Sequence, residues 1–479
     1  MSTTTDRAKK GTIDQRIDAF PRVPLGVGAF IALLICYFFA NYDISVTALV
    51  VPSLLQEFRL GPLDLAAPVF WNLAGYGLGA YFFGYIADRW GRQRGLFATI
   101  VVLAIGGFLS AVSWDITSFT VFRFIAGAGM GAVLSVCSTY ISELAPAKKR
   151  GFYLAVIYTF QAVLLTIVGF ASLPVLSAWP VTNAVPGDPS SEVVGGIGWR
   201  ILLGFGGLVV FALLFLNRRG MMESPRWLAR AGRPEAAERN LEILEARVYK
   251  DRPMPTFEDE QPIEPLTNSI RTEERQVKPW SVLLKQPNLG RLIIVLLFWL
   301  LYYVAAYGFL SYQTLLLEGL GVPAADSLVI TVVSRVVNVA VPLAMIFLIE
   351  RVERRTLMIS GIVLMILAMV SLLLPLGGAS GYIGSIAMTL GIALSVSPGY
   401  IYTVEIFPTR TRGTASAIAD GVGHMGGALS PYLVLPLLAI GSGPGAAWVI
   451  IGTAFIAGFV VLFGPKTKGR DLSDINKES

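Results

Sequence analysis

ELAPAKKRG, residues 143–151, returns as EIFPTRTRG at residues 405–413. Glu143 and Glu405, Pro146 and Pro408, Arg150 and Arg412, and Gly151 and Gly413 stand at one common offset of 262 positions. A second stretch repeats at the same offset. DRWGRQR from Asp88 becomes ERVERRT from Glu350, which matches Asp88 with Glu350, Arg89 with Arg351 and Arg92 with Arg354. Two separate stretches that share one offset make the chain a duplication. The second copy carries Glu353 where the first has Gly91, so its turn is expected to differ.

What separates the repeated stretches is apolar. The chain has 479 residues, of which 54% are hydrophobic and 15% charged, against about 25% charged in a soluble domain. A bilayer-spanning helix needs roughly 20 mostly apolar residues. About twelve such spans are predicted: 25–53, 66–87, 95–114, 117–143, 152–175, 199–217, 291–317, 325–349, 356–376, 381–405, 413–439 and 446–464. The fold class expected is an all-α polytopic membrane protein of twelve helices in two six-helix halves related by a parallel repeat. A polar loop at 218–290 joins the halves, with short amphipathic helices expected after Ser224 and Arg233 and a flexible connector at 252–279. The predicted organisation is a tail at 1–22, halves at 23–217 and 291–464 around that linker, and a tail at 465–479. A smaller insertion at 173–198 belongs on the opposite face.

Of the 38 Lys and Arg, all but Arg59, Arg123, Arg200 and Arg335 fall in the termini or near loops after even-numbered spans. By the positive-inside rule both termini and the central loop are cytoplasmic, in a cell membrane. The net charge of +6 therefore reports topology, and nucleic acid is not an expected partner. Cys36 and Cys137 fall inside spans, so no structural disulfide is expected. No signal peptide is evident before the polar stretch ends near Pro21.

The set GYIADRWGRQR (84–94), FRFIAGAGMGA (122–132), SELAPAKKRG (142–151), ESPRWL (223–228) and YTVEIFPTRTRG (402–413) resembles the major facilitator superfamily. It looks most like the sugar-porter branch and related metabolite and organic-ion branches. Several features depart from the sugar-porter pattern. Span 7 reads LLYYVAAYGFLSYQ (300–313) without Gln-Leu-Ser, span 10 has SPGYIY (397–402), and span 11 carries His424, where organic-ion relatives often have Arg. The resemblance implies a secondary transporter of a small polar metabolite, sugar-like or an organic acid, working as a proton symporter by alternating access. A facilitator or exporter of organic ions or drugs is an alternative, and a non-transporting sensor a remote one. No enzyme constellation, metal site or cofactor is expected, and a monomer surrounded by lipid is.

Each charge at mid-bilayer costs roughly 2.5–3.5 kcal/mol on insertion scales, so the ionisable residues inside spans are the first candidates. They are Asp43, Arg123, Arg335, Asp420 and His424. Sugar porters with proton coupling resemble the first pair, an acid on span 1 near an arginine on span 4. Asp43 is the expected proton acceptor and Arg123 its modulator, against a permanent structural pair. Arg335 is expected either to hold a substrate carboxylate or to pair with Asp420 or Glu318. His424 lies four residues after Asp420, hence on the same helix face, and either contacts substrate or packs. Gln161, Tyr303, Tyr307, Gln313 and Tyr400 are further candidates for a cavity wall. Gly127, Gly129 and Gly131 read as close helix packing rather than a phosphate loop. In the resemblance, Asp88, Arg89, Arg92, Glu143 and Arg150, with Glu350, Arg351, Arg354, Glu405 and Arg412, form a latch built twice at the cytoplasmic ends.

Overall fold

The computed structural model describes residues 12–146, 150–183, 193–215, 221–250, 279–348, 351–374, 378–408 and 411–467. The connector at 252–279 lies outside them except for its last residue. In the first half, span 1 is Val27–Glu57, span 2 Ala66–Trp90, span 3 Arg92–Ala111, span 4 Ile116–Leu144 and span 5 Arg150–Ala178. Span 6 runs through Gly198–Gly206, a 3-10 stretch Gly207–Phe211, and Ala212–Phe215. In the second half, span 7 is Asn288–Leu310 continued by Gln313–Gly319, and span 8 is Ala324–Ser334 continued by Val337–Leu348. Spans 9 to 12 are Arg354–Leu373, Gly378–Glu405, Arg412–Ala439 and Gly443–Val461.

Eleven of these helices are long and apolar enough to cross a membrane, among the described residues. Span 2 has the length, at 25 residues, but not the hydropathy. Its sequence carries Asn72, three tyrosines and four glycines, and the structure shows why that composition is tolerated. A Cβ on Gly127 or Gly131 of span 4 would overlap the backbone of Asn72 or Tyr76. Span 2 therefore lies backbone to backbone on span 4, where small residues and not apolar bulk permit contact. The expected insertion at 173–198 begins later than predicted, because span 5 stays helical through Pro174 to Ala178. Beyond it Thr182–Asn183 pairs antiparallel with Val193–Val194.

Two large hydrophobic cores form among the described residues. One gathers residues of spans 1 to 6 with Leu241, Leu244 and Val248 of the central loop. The other is built from spans 7 to 12 but also takes in Val51 of span 1 and Leu65, Ala66, Val69 and Leu73 at the start of span 2. The halves thus share a core at the end where span 1 finishes and span 2 begins. Thr314 donates to the Ala48 carbonyl (3.3 Å) at that end. Span 2 packs on span 11, and span 5 on both parts of span 8.

The central loop contributes helices Pro225–Arg230 and Pro234–Val248. Each opens with proline at its first turn, where the missing N–H costs nothing. The residues expected to be a plain N-terminal tail do more. Thr12 and Gln15 form a capping box for the helix Ile13–Asp18. Arg16 is buried and grips Glu245 with Nε (2.7 Å) and Nη2 (2.6 Å), and it also pairs with Glu238. Arg226 pairs with Asp14 (2.7 Å) and Asp18 (2.9 Å) while donating to the carbonyls of Ser142 and Glu143. One knot of charge therefore ties the N-terminal helix, both central helices and the end of span 4. Removing one partner of a buried pair costs about 3–5 kcal/mol because the other charge is stranded. Arg16→Ala is expected to expose the segment 234–248 to limited proteolysis at a protease level that leaves the wild type intact. An unchanged cleavage pattern would show that the helices dock without it.

Candidate functional site

Asp43 and Arg123 meet in the first half. Nη1 of Arg123 lies 2.7 Å from Oδ1 of Asp43 and Nη2 lies 2.7 Å from Oδ2, a fork-on-carboxylate geometry. Nη2 also donates to the Thr47 hydroxyl (3.1 Å). Both side chains are buried, and Asn72 of span 2 donates to the Arg123 carbonyl (2.8 Å). Beside the pair is a cavity of about 20 Å³, lined by Thr47, Asn72, Phe119 and Arg123 of one half and by Tyr307 and Ser311 of span 7. That volume admits one water.

Nearer mid-depth, an aromatic cluster closes around Asp420 and His424. Tyr76 of span 2 stacks on His424, with centroids 3.9 Å apart and planes 12° off parallel. Tyr303 stands edge-on to His424 at 5.0 Å and to Tyr307 at 5.4 Å. Its hydroxyl is 2.7 Å from that of Tyr400, which in turn donates to Oδ1 of Asp420 (2.7 Å). Trp299 packs against Tyr400 at 4.5 Å and donates to Thr403 (2.9 Å). Nδ1 of His424 is 2.9 Å from the Asp420 carbonyl oxygen, which can only accept, so that nitrogen carries the hydrogen. Tyr400 remains 40% exposed despite these partners. A hydrogen-bonded yet accessible wall of aromatic and polar groups is what a small organic ligand requires.

The other predicted cavity residues separate. Gln161 of span 5 accepts from Asn41 of span 1 (3.0 Å), next to Tyr158, which stands edge-on to Tyr37. Gln313 is fully buried. It donates to Ser334 (3.1 Å), and its Oε1 has no partner. Arg335 sits at the interruption of span 8, donates to the Leu310 carbonyl (3.2 Å), and makes no ion pair with any described carboxylate, Asp420 and Glu318 included. Reasoning from the sequence missed Tyr76, Trp299, Asn41 and Tyr158. The low hydropathy of span 2 was the one available signal for Tyr76.

The two copies of the charged loop are not alike. In the first, Arg92 pairs with Glu143 (3.0 Å) and with Asp88. Gly91 turns at φ 113°, and a Cβ there would overlap the Glu223 carboxylate. Glu223 accepts from the backbone N–H of Arg92 (2.8 Å) and Gln93 (3.3 Å). Burial pushes its carboxyl above the usual range against those bonds. Arg89 instead donates to Tyr85 (3.0 Å). In the second copy Arg354 pairs with Glu405 (3.1 Å), while Nε and Nη2 of Arg412, Nε of Arg354 and Oε2 of Glu405 are buried without partners among the described residues. Glu353, at φ −59°, accepts from the backbone of Thr467 (3.1 Å). Arg351 is exposed. Glu350 and the side chain of Arg150 lie outside the described residues. The described pairs close within each half and not across the interface.

Known proteins match this architecture along most of its length. The putative metabolite transport protein YyaJ of Bacillus subtilis is 26% identical over 95% of this chain and 96% of its own. The arabinose-proton symporter of the same organism is 28% identical over 91% of each chain. A crystal structure of a D-xylose-proton symporter superposes with TM-score 0.69 at 22% identity, covering 92% of this chain and 99% of its own. The family model described as "Sugar (and other) transporter" matches residues 61–478. On that extent of match, the chain belongs to the sugar (and other) transporter family of the major facilitator superfamily, and it is a multi-pass membrane transporter rather than an enzyme.

Proposed function

We propose that the protein is a proton-coupled symporter of a small polar metabolite, working by alternating access between its two six-span halves, 23–217 and 291–464. The observation that carries this is the buried Asp43–Arg123 pair at the edge of a one-water cavity between the halves. An adjacent guanidinium keeps a carboxylate charged, and burial opposes it. In this reading Asp43 is the proton acceptor and Arg123 its modulator. The likeness to the arabinose-proton symporter supports the same coupling.

The substrate site in this reading is the aromatic cluster of Tyr76, Tyr303, Tyr307 and Tyr400 with Asp420 and His424. Gln161 and Arg335 belong to the opposite flank, where span 5 meets span 8. The charge asymmetry supports a cytoplasmic side for the central helices and both termini, in a cell membrane. The shared core at the far end then makes this the state closed to the outside.

Asp43→Asn is expected to abolish accumulation driven by a pH gradient in proteoliposomes while leaving substrate exchange at equilibrium. Accumulation at the wild-type level would remove Asp43 from the coupling step. Glu143→Gln leaves Arg92, which is only 9% exposed, with the exposed Asp88 as its one carboxylate partner, and costs less than the about 3–5 kcal/mol of a fully stranded buried charge. It is expected to favour the inward-open state and slow turnover. The measurement is thiol labelling of Tyr158→Cys, since the native Cys36 and Cys137 are buried. Equal labelling rates with and without Glu143→Gln would dissociate the loop charges from gating.

A further inference from the structure

Arg335 lies inside span 8 and has no carboxylate partner among the described residues. Arg123 has Asp43, and Asp420 is engaged by Tyr400 and His424. Among the described residues, one of the five N–H donors of Arg335 is engaged, by the Leu310 carbonyl at the end of the main span-7 helix. That contact satisfies a helix C-terminus and leaves the rest of the fork open.

The backbone around it is also unusual. Arg335 and Val336 bond back to Val332 and Val333, and Asn338 and Val339 to Arg335 and Val336, each three residues earlier. The helix is locally wound to the 3-10 pattern, which often marks a functional hinge. Pro342 offers no N–H to the Asn338 carbonyl, so the tight stretch has a cause in the sequence. The side chain opens on a cavity of about 30 Å³ between span 1, span 5 and span 8. Its polar wall is Ser45, Ser172, Asn338 and Arg335, and its apolar wall includes Val46, Leu49, Leu165 and Val332. Span 1 and span 5 come from one half and span 8 from the other, so the cavity lies on the surface where the halves move past each other.

We propose that Arg335 is an anion-binding element of the transport site and that the substrate is an organic monocarboxylate with an apolar body. A planar guanidinium matches a carboxylate with two parallel bonds. The Asn338 amide is the adjacent donor. At about 30 Å³ this cavity takes only the carboxylate group, and the aromatic cluster of the substrate site takes the apolar body. A neutral sugar would leave the fork without an opposite charge in a poorly solvated place, where an unpaired ion is costly. This assignment rests on the transporter reading above and narrows its substrate.

The test is ligand-induced thermal stabilisation and titration calorimetry on the purified full-length protein. The probes are benzoate and nicotinate, their uncharged partners benzamide and nicotinamide, and D-xylose. Saturable binding of the carboxylates with no response to the amides or the sugar is expected. Arg335→Gln, which keeps an N–H for the Leu310 carbonyl, should weaken carboxylate binding roughly tenfold to a hundredfold. Arg335→Lys, which keeps the charge but not the fork, should fall between. The proposal is overturned if amides or sugar bind as well as the acids, if no carboxylate binds, or if Arg335→Gln binds them as the wild type does. The acid–amide contrast in the wild type stands whether or not the variants fold. The transport reading fails separately, through proteoliposomes that show no pH-driven uptake of any bound probe or of D-xylose.

Discussion

A charge placed in hydrocarbon must find a counter-charge, a hydrogen-bond acceptor or a water-filled cavity, because the isolated ion is too costly to keep. That requirement sorts the ionisable residues of the spans into three kinds. Asp43 and Arg123 satisfy each other. Asp420 accepts from the Tyr400 hydroxyl, and His424 packs among tyrosine rings. Arg335 borrows a backbone carbonyl and otherwise faces space between the halves. The helix register follows the same logic, since span 1 must turn Asp43 toward span 4 and span 11 must turn His424 toward span 2. Packing of the four helices is constrained by where these side chains have to end up.

The duplication produced two loops of similar charge but different attachment. In the first copy the left-handed Gly91 leaves room for Glu223, so the central loop is held directly at the turn between spans 2 and 3. In the second, Glu353 has ordinary backbone angles and reaches the segment after span 12 through Thr467. One loop is tied to the linker between the halves and the other to the chain's own end. Surface pairs alone contribute only about 0–1 kcal/mol. The first copy gains because Arg92 and Glu143 are buried and joined to a wider network that extends through Arg226 to the N-terminal helix.

The spans, the repeat and the Asp43–Arg123 candidates could be read in the sequence because each rests on local evidence: hydropathy, a fixed offset, or a charge where charge is expensive. The partnership of Arg16 with Glu245 could not, because 229 positions separate them and both look like ordinary polar residues. Tyr76 was hidden for a related reason. Its role depends on which way span 2 rotates against span 11, and a helix with glycines on several faces announces no rotation. Tyr303, Tyr307 and Tyr400 are picked out by type and spacing, but the hydroxyl relay from Tyr303 through Tyr400 to Asp420 needs three helices in register. Gln313 was chosen on the same grounds as Gln161, yet its helix is offset by the interruption after Leu310, which turns it into the interior of its own half.

The weak hydropathy of span 2 has a consequence for how the protein is made. A segment carrying Asn72, repeated glycines and three tyrosines, without enough apolar area for a crossing helix, gains little by leaving the translocon alone for lipid. Its stabilising partners are the backbone of span 4 and the Asn72 bond to the Arg123 carbonyl, and those arrive only after 116–144 has been synthesised. In the folded structure span 2 thus depends on span 4 more than on its own apolar area.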